Sequence, residues 1–285
     1  MKNLLRLFTS LLCLFTLMSS ASQREDEGFW YTVPQSDLVY LRTHHGQVIL
    51  ALTDVIAPVH AQRFRELVSQ GFYNNRYFYR VIEGFVAQAG SNGTHKQNGN
   101  TASLAAEFTG KAVEGFYEVE RPAPFAPVSG FINGFPAATT PDRTHYWLTH
   151  CPGMVGMARD NKANTAATEF YIVLGQAPRH LDRNMALFGR VVSGMSALQR
   201  LPRGEQSNYG VIKDFSQASE LIDVRLGSAL SVSEQKKVRI QLPGHSDYQK
   251  KVSQARQLNN PFFVDTTLAP RPLDICYYQT AIEVR

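Results

Sequence analysis

Short apolar runs separated by turn signals recur along most of this chain. They constrain its fold more than any other feature. Residues 37–52 read as a hairpin: Val39, Leu41 and Thr43 alternate with polar positions, His45-Gly46 makes the turn, and Val48, Ile49 and Leu50 begin the return strand. Residues 77–82 and 85–90 form a second pair about Glu83-Gly84. Strand signals return at 153–158, 169–174, 187–192 and 221–226. Helical periodicity is rarer. Pro58 opens a pattern in which Val59, Phe64, Leu67 and Val68 lie near a 3.6-residue spacing and Gly71 ends it, and a short helix is expected over 194–201. Many short strands and few helices imply a mainly antiparallel β architecture, and a closed barrel would remove its exposed edges.

Two tracts interrupt this pattern. Residues 92–100 are a polar, Gly-rich loop. Residues 110–152 contain Pro122, Pro124, Pro127, Pro136, Pro141 and many aromatics, and read as an ordered irregular loop, because the aromatics need burial. Beyond 228 the character changes. Residues 231–237 and 246–257 are polar and read as helical, and 260–285 are expected to pack onto the main body.

The chain has 285 residues, of which 44% are hydrophobic and 19% charged, enough for a sizeable core and unlike a disordered chain. The net charge of +5 is scattered apart from Lys236-Lys237 and Lys250-Lys251, so no basic stripe points to nucleic acid. Lys2 and Arg6, an apolar run over 4–18 and Ser19-Ser20-Ala21 fit a secretory signal with cleavage near Ala21. The expected mature protein is exported, periplasmic and not inserted in a membrane. Once Cys13 leaves with that signal, Cys151 and Cys276 remain. An even pair in an oxidising compartment suggests one disulfide; two unpaired buried thiols are the alternative.

The usual catalytic signatures fail: there is no G-x-S-x-G, phosphate loop, H-E-x-x-H or dinucleotide fingerprint. His44-His45 reads as a turn rather than a metal site, and nothing supports pairing Glu107 with Glu169 as catalytic carboxylates. Two segments stand out instead. The first runs Phe78-Tyr79-Arg80-Val81-Ile82-Glu83-Gly84-Phe85-Val86-Ala87-Gln88-Ala89-Gly90. The second includes Gly156-Met157-Ala158-Arg159, Asn164-Thr165-Ala166-Ala167-Thr168-Glu169-Phe170-Tyr171-Ile172, His180-Leu181-Asp182 and Phe188-Gly189-Arg190-Val191-Val192-Ser193-Gly194-Met195. Together, and in this order, they resemble the cyclophilin family of peptidyl-prolyl cis–trans isomerases over about residues 37–228. The tract 110–152 looks like an insertion and 229–285 like an extension.

The resemblance implies an eight-stranded antiparallel barrel with a helix at each end and a substrate groove on its outer face. Together with the N-terminal reading, it divides the chain into a signal (1–21), a polar segment (22–36), an isomerase domain (37–228) and a C-terminal extension (229–285) expected to pack on the barrel. It implies rotation of X-Pro bonds in unfolded or extended polypeptides, by a monomer, with no metal, cofactor or nucleic acid. Arg80 matches the family's catalytic arginine. Phe85, Phe170 and Leu181 match its proline pocket, Gln88 a residue that orients the arginine, and Ala158 and Arg159 the strand beside the peptide.

Several substrate-facing positions depart from the family pattern. Glu169 replaces a glutamine and is expected to pair with Arg80 or alter sequence preference. His180 stands where an aromatic is common, Met185 replaces a histidine, Val86 a methionine, and Tyr79 the histidine before Arg80. These departures leave open a second reading, a non-catalytic prolyl-peptide-binding or chaperone module on the same fold. Cys151 and Cys276 are expected to pair, tying the tail to the barrel near the insertion.

Overall fold

The computed structural model describes residues 27–91, 101–111, 113–176 and 178–285. The expected signal, 1–21, and the loop 92–100 lie outside the described residues. In chain order the first elements are β1 (Trp30–Thr32), β2 (Leu38–Thr43), β3 (Gly46–Leu52), α1 (Pro58–Ser69), β4 (Arg76–Phe78), β5 (Arg80–Val81) and β6 (Val86–Ala89). The inserted tract supplies β7 (Phe116–Glu120), β8 (Val128–Ile132), β9 (Phe135–Thr139) and β10 (Tyr146–Leu148). There follow β11 (Met154–Met157), β12 (Phe170–Val173), β13 (Ala186–Ser193), α2 (Met195–Gln199), β14 (Ser219–Leu221) and β15 (Asp223–Leu226). The terminal tract adds β16 (Val238–Gln241), α3 (Ser246–Arg256) and β17 (Ile282–Val284).

The central sheet has eight antiparallel strands in the order β15-β2-β3-β13-β11-β12-β6-β5. It curls, but its own hydrogen bonds do not close it into the expected ring. The edge of β5 is occupied by a loop: Val81 N–H donates to Gly210 O at 2.8 Å, Ile212 N–H donates to Tyr79 O at 2.8 Å, and Arg80 forms an isolated bridge with Val211. The remaining gap is spanned by the separate β4–β14 ladder, with Ser219 opposite Phe78. Inside the curl, Val39, Leu41, Leu50, Phe78, Phe170 and Phe188 pack with Phe64 and Leu67 of α1. Helix α1 begins with Pro58, whose missing N–H costs nothing at the first helical position. Its Ala57 N-cap offers no side-chain acceptor; Glu107 substitutes, accepting from Val59 N–H (3.2 Å), His60 N–H (3.1 Å) and the His60 ring (2.7 Å).

The tract 110–152 is not an irregular loop. It is a four-stranded antiparallel sheet in the order β10-β9-β8-β7. Every residue of β8, β9 and β10 is buried, so these strands lack the alternation that marks a half-exposed strand. Phe131, Ile132 and Phe135 pack against the outer face of the central sheet beside Leu38, Ile49 and Leu187. The terminal tract joins the same layer through Val238, Ile240, Tyr248 and Ile275. Residues 231–237 form turns rather than a helix, with the Ser231 hydroxyl donating to Glu234 at 2.6 Å. The segment before the hairpin contributes β1, which pairs with β16, and β16 pairs with β17.

A disulfide and a buried arginine are among the links that fasten these layers. A disulfide joins Cys151 to Cys276. Arg190 of β13 reaches across to both added tracts, donating to Gly134 O at 2.7 Å and to Gln279 Oε1 at 2.8 Å. Among the described residues no helix is long and apolar enough to cross a membrane.

Candidate active site

Strand alternation decides which side chains meet on the outer face. On β6, Ala87 and Ala89 enter the inner core, whereas Val86 joins the outer cluster. Gln88, in the same phase as Val86, stands opposite Arg80 across the β5–β6 ladder. Gly84, at φ +64°, makes the turn between these strands.

The Arg80 guanidinium donates from Nη1 to Gln88 Oε1 at 3.0 Å and from Nε to Tyr209 O at 3.0 Å. Half-burial lowers its pKa, because desolvation disfavours the cation. Gln88 Nε2 donates to the Tyr79 hydroxyl at 2.6 Å, and that hydroxyl donates to Glu169 Oε2 at 2.6 Å. Burial, and then the neighbouring Glu169 charge, raise the Tyr79 pKa well above its ordinary value, so the phenol stays protonated. Glu169 therefore does not pair with Arg80 as the sequence suggested. Among the described residues Arg80 has no carboxylate partner; Tyr79 and Gln88 stand between the two charges. The other oxygen of Glu169 accepts the Ser91 N–H at 2.6 Å and the Ser91 hydroxyl. Tyr79, Gln88, Glu169, Ala158 and Arg159 help to line a groove of about 370 Å³.

The apolar side of the site is built by Phe85, half-buried and stacked on exposed His180 with ring centroids 6.3 Å apart, together with half-buried Leu181 and Met185. Val86 is buried beneath them. Phe170 does not belong to this group. It points into the inner core, packed edge-on against Phe64 and Tyr73. Tyr171, one residue on, takes the outer position and clusters with Phe85, Met185 and Ala158. Residues 169 and 171 share a face and 170 cannot, so assigning Glu169 to the groove already selects Tyr171. Gly156 lets this ring lie close to β11: a Cβ there would meet the Tyr171 hydroxyl at 2.5 Å. Ala158 is half-buried, with its N–H donating to Glu169 O at 2.7 Å. Arg159 is held by carbonyls, from Nε to Asn184 O at 3.0 Å and from Nη1 to Asp160 O at 2.7 Å, with its guanidinium over the Phe108 ring.

Tyr171 also connects the apolar cluster to a buried polar chain that no motif announced. The Tyr171 hydroxyl meets His150 Nε2 at 2.8 Å, and His150 Nδ1 meets Asp182 at 2.8 Å. Asp182 also accepts from Arg179 at 2.7 Å, and Arg179 donates on to Asp274 at 3.2 Å. Burial lowers the His150 pKa, only partly offset by Asp182. Burial alone would raise Asp182, but the His150 hydrogen bond and the Arg179 charge outweigh it and hold the carboxyl below its usual range. A neutral His150 with its proton on Nδ1 satisfies both neighbours. No group of three or more His, Cys, Asp or Glu able to hold a metal occurs among the described residues.

Comparison with known proteins accords with this geometry. Residues 38–220 match the family of cyclophilin type peptidyl-prolyl cis-trans isomerases. The chain is 30% identical over 176 residues to a probable peptidyl-prolyl cis-trans isomerase of Brucella suis biovar 1, covering 62% of this chain and 76% of that one. It is 27% identical over 186 residues to peptidyl-prolyl cis-trans isomerase A of Dickeya dadantii, covering 63% and 78%. The crystal structure of cyclophilin AquaCyp293 from Hirschia baltica superposes with a TM-score of 0.72 at 23% identity, covering 92% of this chain and 95% of that one. That coverage exceeds what residues 38–220 can supply, so the shared fold extends beyond the isomerase domain. The chain thus belongs to the cyclophilin-type peptidyl-prolyl cis-trans isomerases.

Proposed function

We propose that this isomerase accelerates X-Pro rotation in exported polypeptides, with Arg80 stabilising the twisted amide. The uncatalysed barrier is ~18–20 kcal/mol because rotation destroys amide resonance. As the bond twists, the nitrogen becomes pyramidal and gains a lone pair, while the carbonyl turns away from it. A catalyst needs no covalent intermediate. It must hold the ring and favour the twisted state over both planar ones.

The observation that carries this reading is the placement of Arg80 opposite Gln88, which shares its face of β6 with Val86 of the outer apolar cluster. Two of its N–H donors are committed to Gln88 and Tyr209. An arginine has five, so others remain for the substrate carbonyl and the emerging lone pair. Because Arg80 is half-buried and already oriented, those bonds act at reduced dielectric and need little reorganisation. Phe85, Leu181, Met185 and Tyr171 supply the surface that grips the proline ring, with His180 at its exposed side.

Export is supported by the charged, apolar and small-residue succession at the N-terminus and by the Cys151–Cys276 bond, which suits an oxidising compartment. In this reading the mature chain begins near Ser22 and works as a monomer in the periplasm on extended client segments. The test is a cis–trans exchange assay on short X-Pro peptides with chain recovered from the periplasmic fraction, its N-terminus and mass in solution measured alongside. Accelerated exchange by a monomer starting near residue 22 is expected. A recovered chain retaining residues 1–21, or no acceleration across several X residues, contradicts the proposal.

A further inference from the structure

Positions 79 and 169, both departures from the family pattern, are each other's hydrogen-bond partners. That pairing has a directional consequence. Glu169 carries a carboxylate, which accepts hydrogen bonds and donates none. One oxygen is engaged by Ser91, and the other receives the Tyr79 proton at 2.6 Å. With its single proton committed, the Tyr79 oxygen has only lone pairs to offer Gln88. Gln88 must then present Nε2 to Tyr79, at 2.6 Å, which leaves Oε1 facing Arg80 Nη1 at 3.0 Å. The opposite amide orientation would set a donor against a guanidinium that has donors alone. The polarity of the whole row is thus decided at its far end, by a residue that does not touch Arg80.

We propose that Tyr79 and Glu169 form a positioning pair that fixes the Gln88 amide and, through it, the orientation of Arg80 for amide twisting. This rests on the reading of Arg80 given above. The chemistry predicts an unusual sign for the simplest reversion. In Glu169→Gln the Ser91 N–H still requires an acceptor, so the amide oxygen stays at Ser91 and the amide nitrogen faces Tyr79. The Tyr79 hydroxyl must then donate toward Gln88, which turns its own nitrogen toward Arg80. Restoring the glutamine common in the family, with Tyr79 left in place, therefore weakens catalysis.

The test is a double-mutant cycle in the full chain: wild type, Glu169→Gln, Tyr79→Phe and the double variant, with Arg80→Ala as reference. kcat and KM are measured on one X-Pro peptide, with Tm for each variant. Glu169→Gln is expected to lower kcat about tenfold, equivalent to ~1.4 kcal/mol of transition-state stabilisation, at unchanged Tm and with KM moving less than about twofold. In the Tyr79→Phe background the same substitution is expected to change kcat by less than about twofold, because the row is already cut. Wild-type kcat in Glu169→Gln, or an equal loss in both backgrounds, overturns the proposal; the latter would mean that the Glu169 charge acts without Tyr79. If Glu169→Gln does not fold, Tyr79→Phe alone decides: it must lower kcat at unchanged Tm, and wild-type kcat overturns the pair. The reference separates the two readings. An inactive Arg80→Ala beside a fully active Glu169→Gln removes the pair alone, whereas an active Arg80→Ala removes both.

Discussion

His150 and Tyr171 are joined by a 2.8 Å hydrogen bond that couples the end of the inserted tract to the apolar cluster of Phe85, Met185 and Ala158. His150 has no exposed surface, and Asp182 holds its other nitrogen. Removing the hydroxyl in Tyr171→Phe leaves a buried imidazole nitrogen without a partner. The expected cost is ~1–3 kcal/mol of stability, read from denaturant midpoints at unchanged m-value. The aromatic ring stays in place, so isomerase activity below the unfolding temperature should change only a few-fold. A fully stable variant would mean that the hydroxyl does not secure His150.

The same histidine makes stability depend on pH. Burial depresses its folded-state pKa below the ordinary 6.5, so in that window the unfolded chain binds a proton that the native chain does not. Its contribution is complete above about pH 6.5 and is lost as pH falls from there through the folded-state value. Asp182, also depressed, acts in the same direction further down, below its ordinary 3.8. Tm should therefore fall on acidification below pH 6.5, and His150→Gln should flatten the upper part of that slope. A slope unaltered by the substitution would assign the acid sensitivity elsewhere.

Cys151 and Cys276 are 125 residues apart in sequence. A cross-link closing a loop of that length restricts the unfolded chain, and its loss is expected to cost about 2–5 kcal/mol. Cys151→Ser with Cys276→Ser should lower Tm while leaving peptide isomerisation intact at temperatures where the chain stays folded. Mass mapping without reductant should recover the two cysteines in one linked peptide pair; two free thiols would contradict the link.

Glu107 caps a helix to which it is not adjacent in sequence. Glu107→Ala deprives two N–H groups at the start of α1, and the buried His60 ring, of their acceptor. A loss of ~1–2 kcal/mol is expected in equilibrium unfolding, with little effect on kcat. An unchanged unfolding midpoint would show that water replaces the carboxylate at no cost.

The hairpin of β2 and β3, helix α1 and the turn at Gly84 were legible because local signals dictate them: alternation about His45-Gly46, Pro58 at a helix start, and glycine at positive φ. The motif around Arg80 and Gln88 was legible only through its resemblance to the family pattern; the β5–β6 register sets the two residues opposite one another. What escaped the sequence depends on burial from both sides. Strands β8 to β10 hide every residue, so their pattern resembles no half-exposed strand. The position of Phe170 was misread because two adjacent aromatics look equivalent until the strand's phase is fixed by Glu169. His150 could not be found at all: its partners Tyr171 and Asp182 lie 21 and 32 residues away, and only the fold brings them together.

Arg80 is the centre of the account, and its most direct test is the rate of X-Pro exchange in a short peptide with wild type and Arg80→Ala, each checked for folding by circular dichroism and Tm. Arg80 is half-exposed beside Gln88 and its removal spares the core, so the variant should fold. The account predicts that kcat/KM falls by about a hundredfold or more, the scale of removing a preorganised donor from a developing charge. A folded Arg80→Ala chain with wild-type kcat/KM would contradict it.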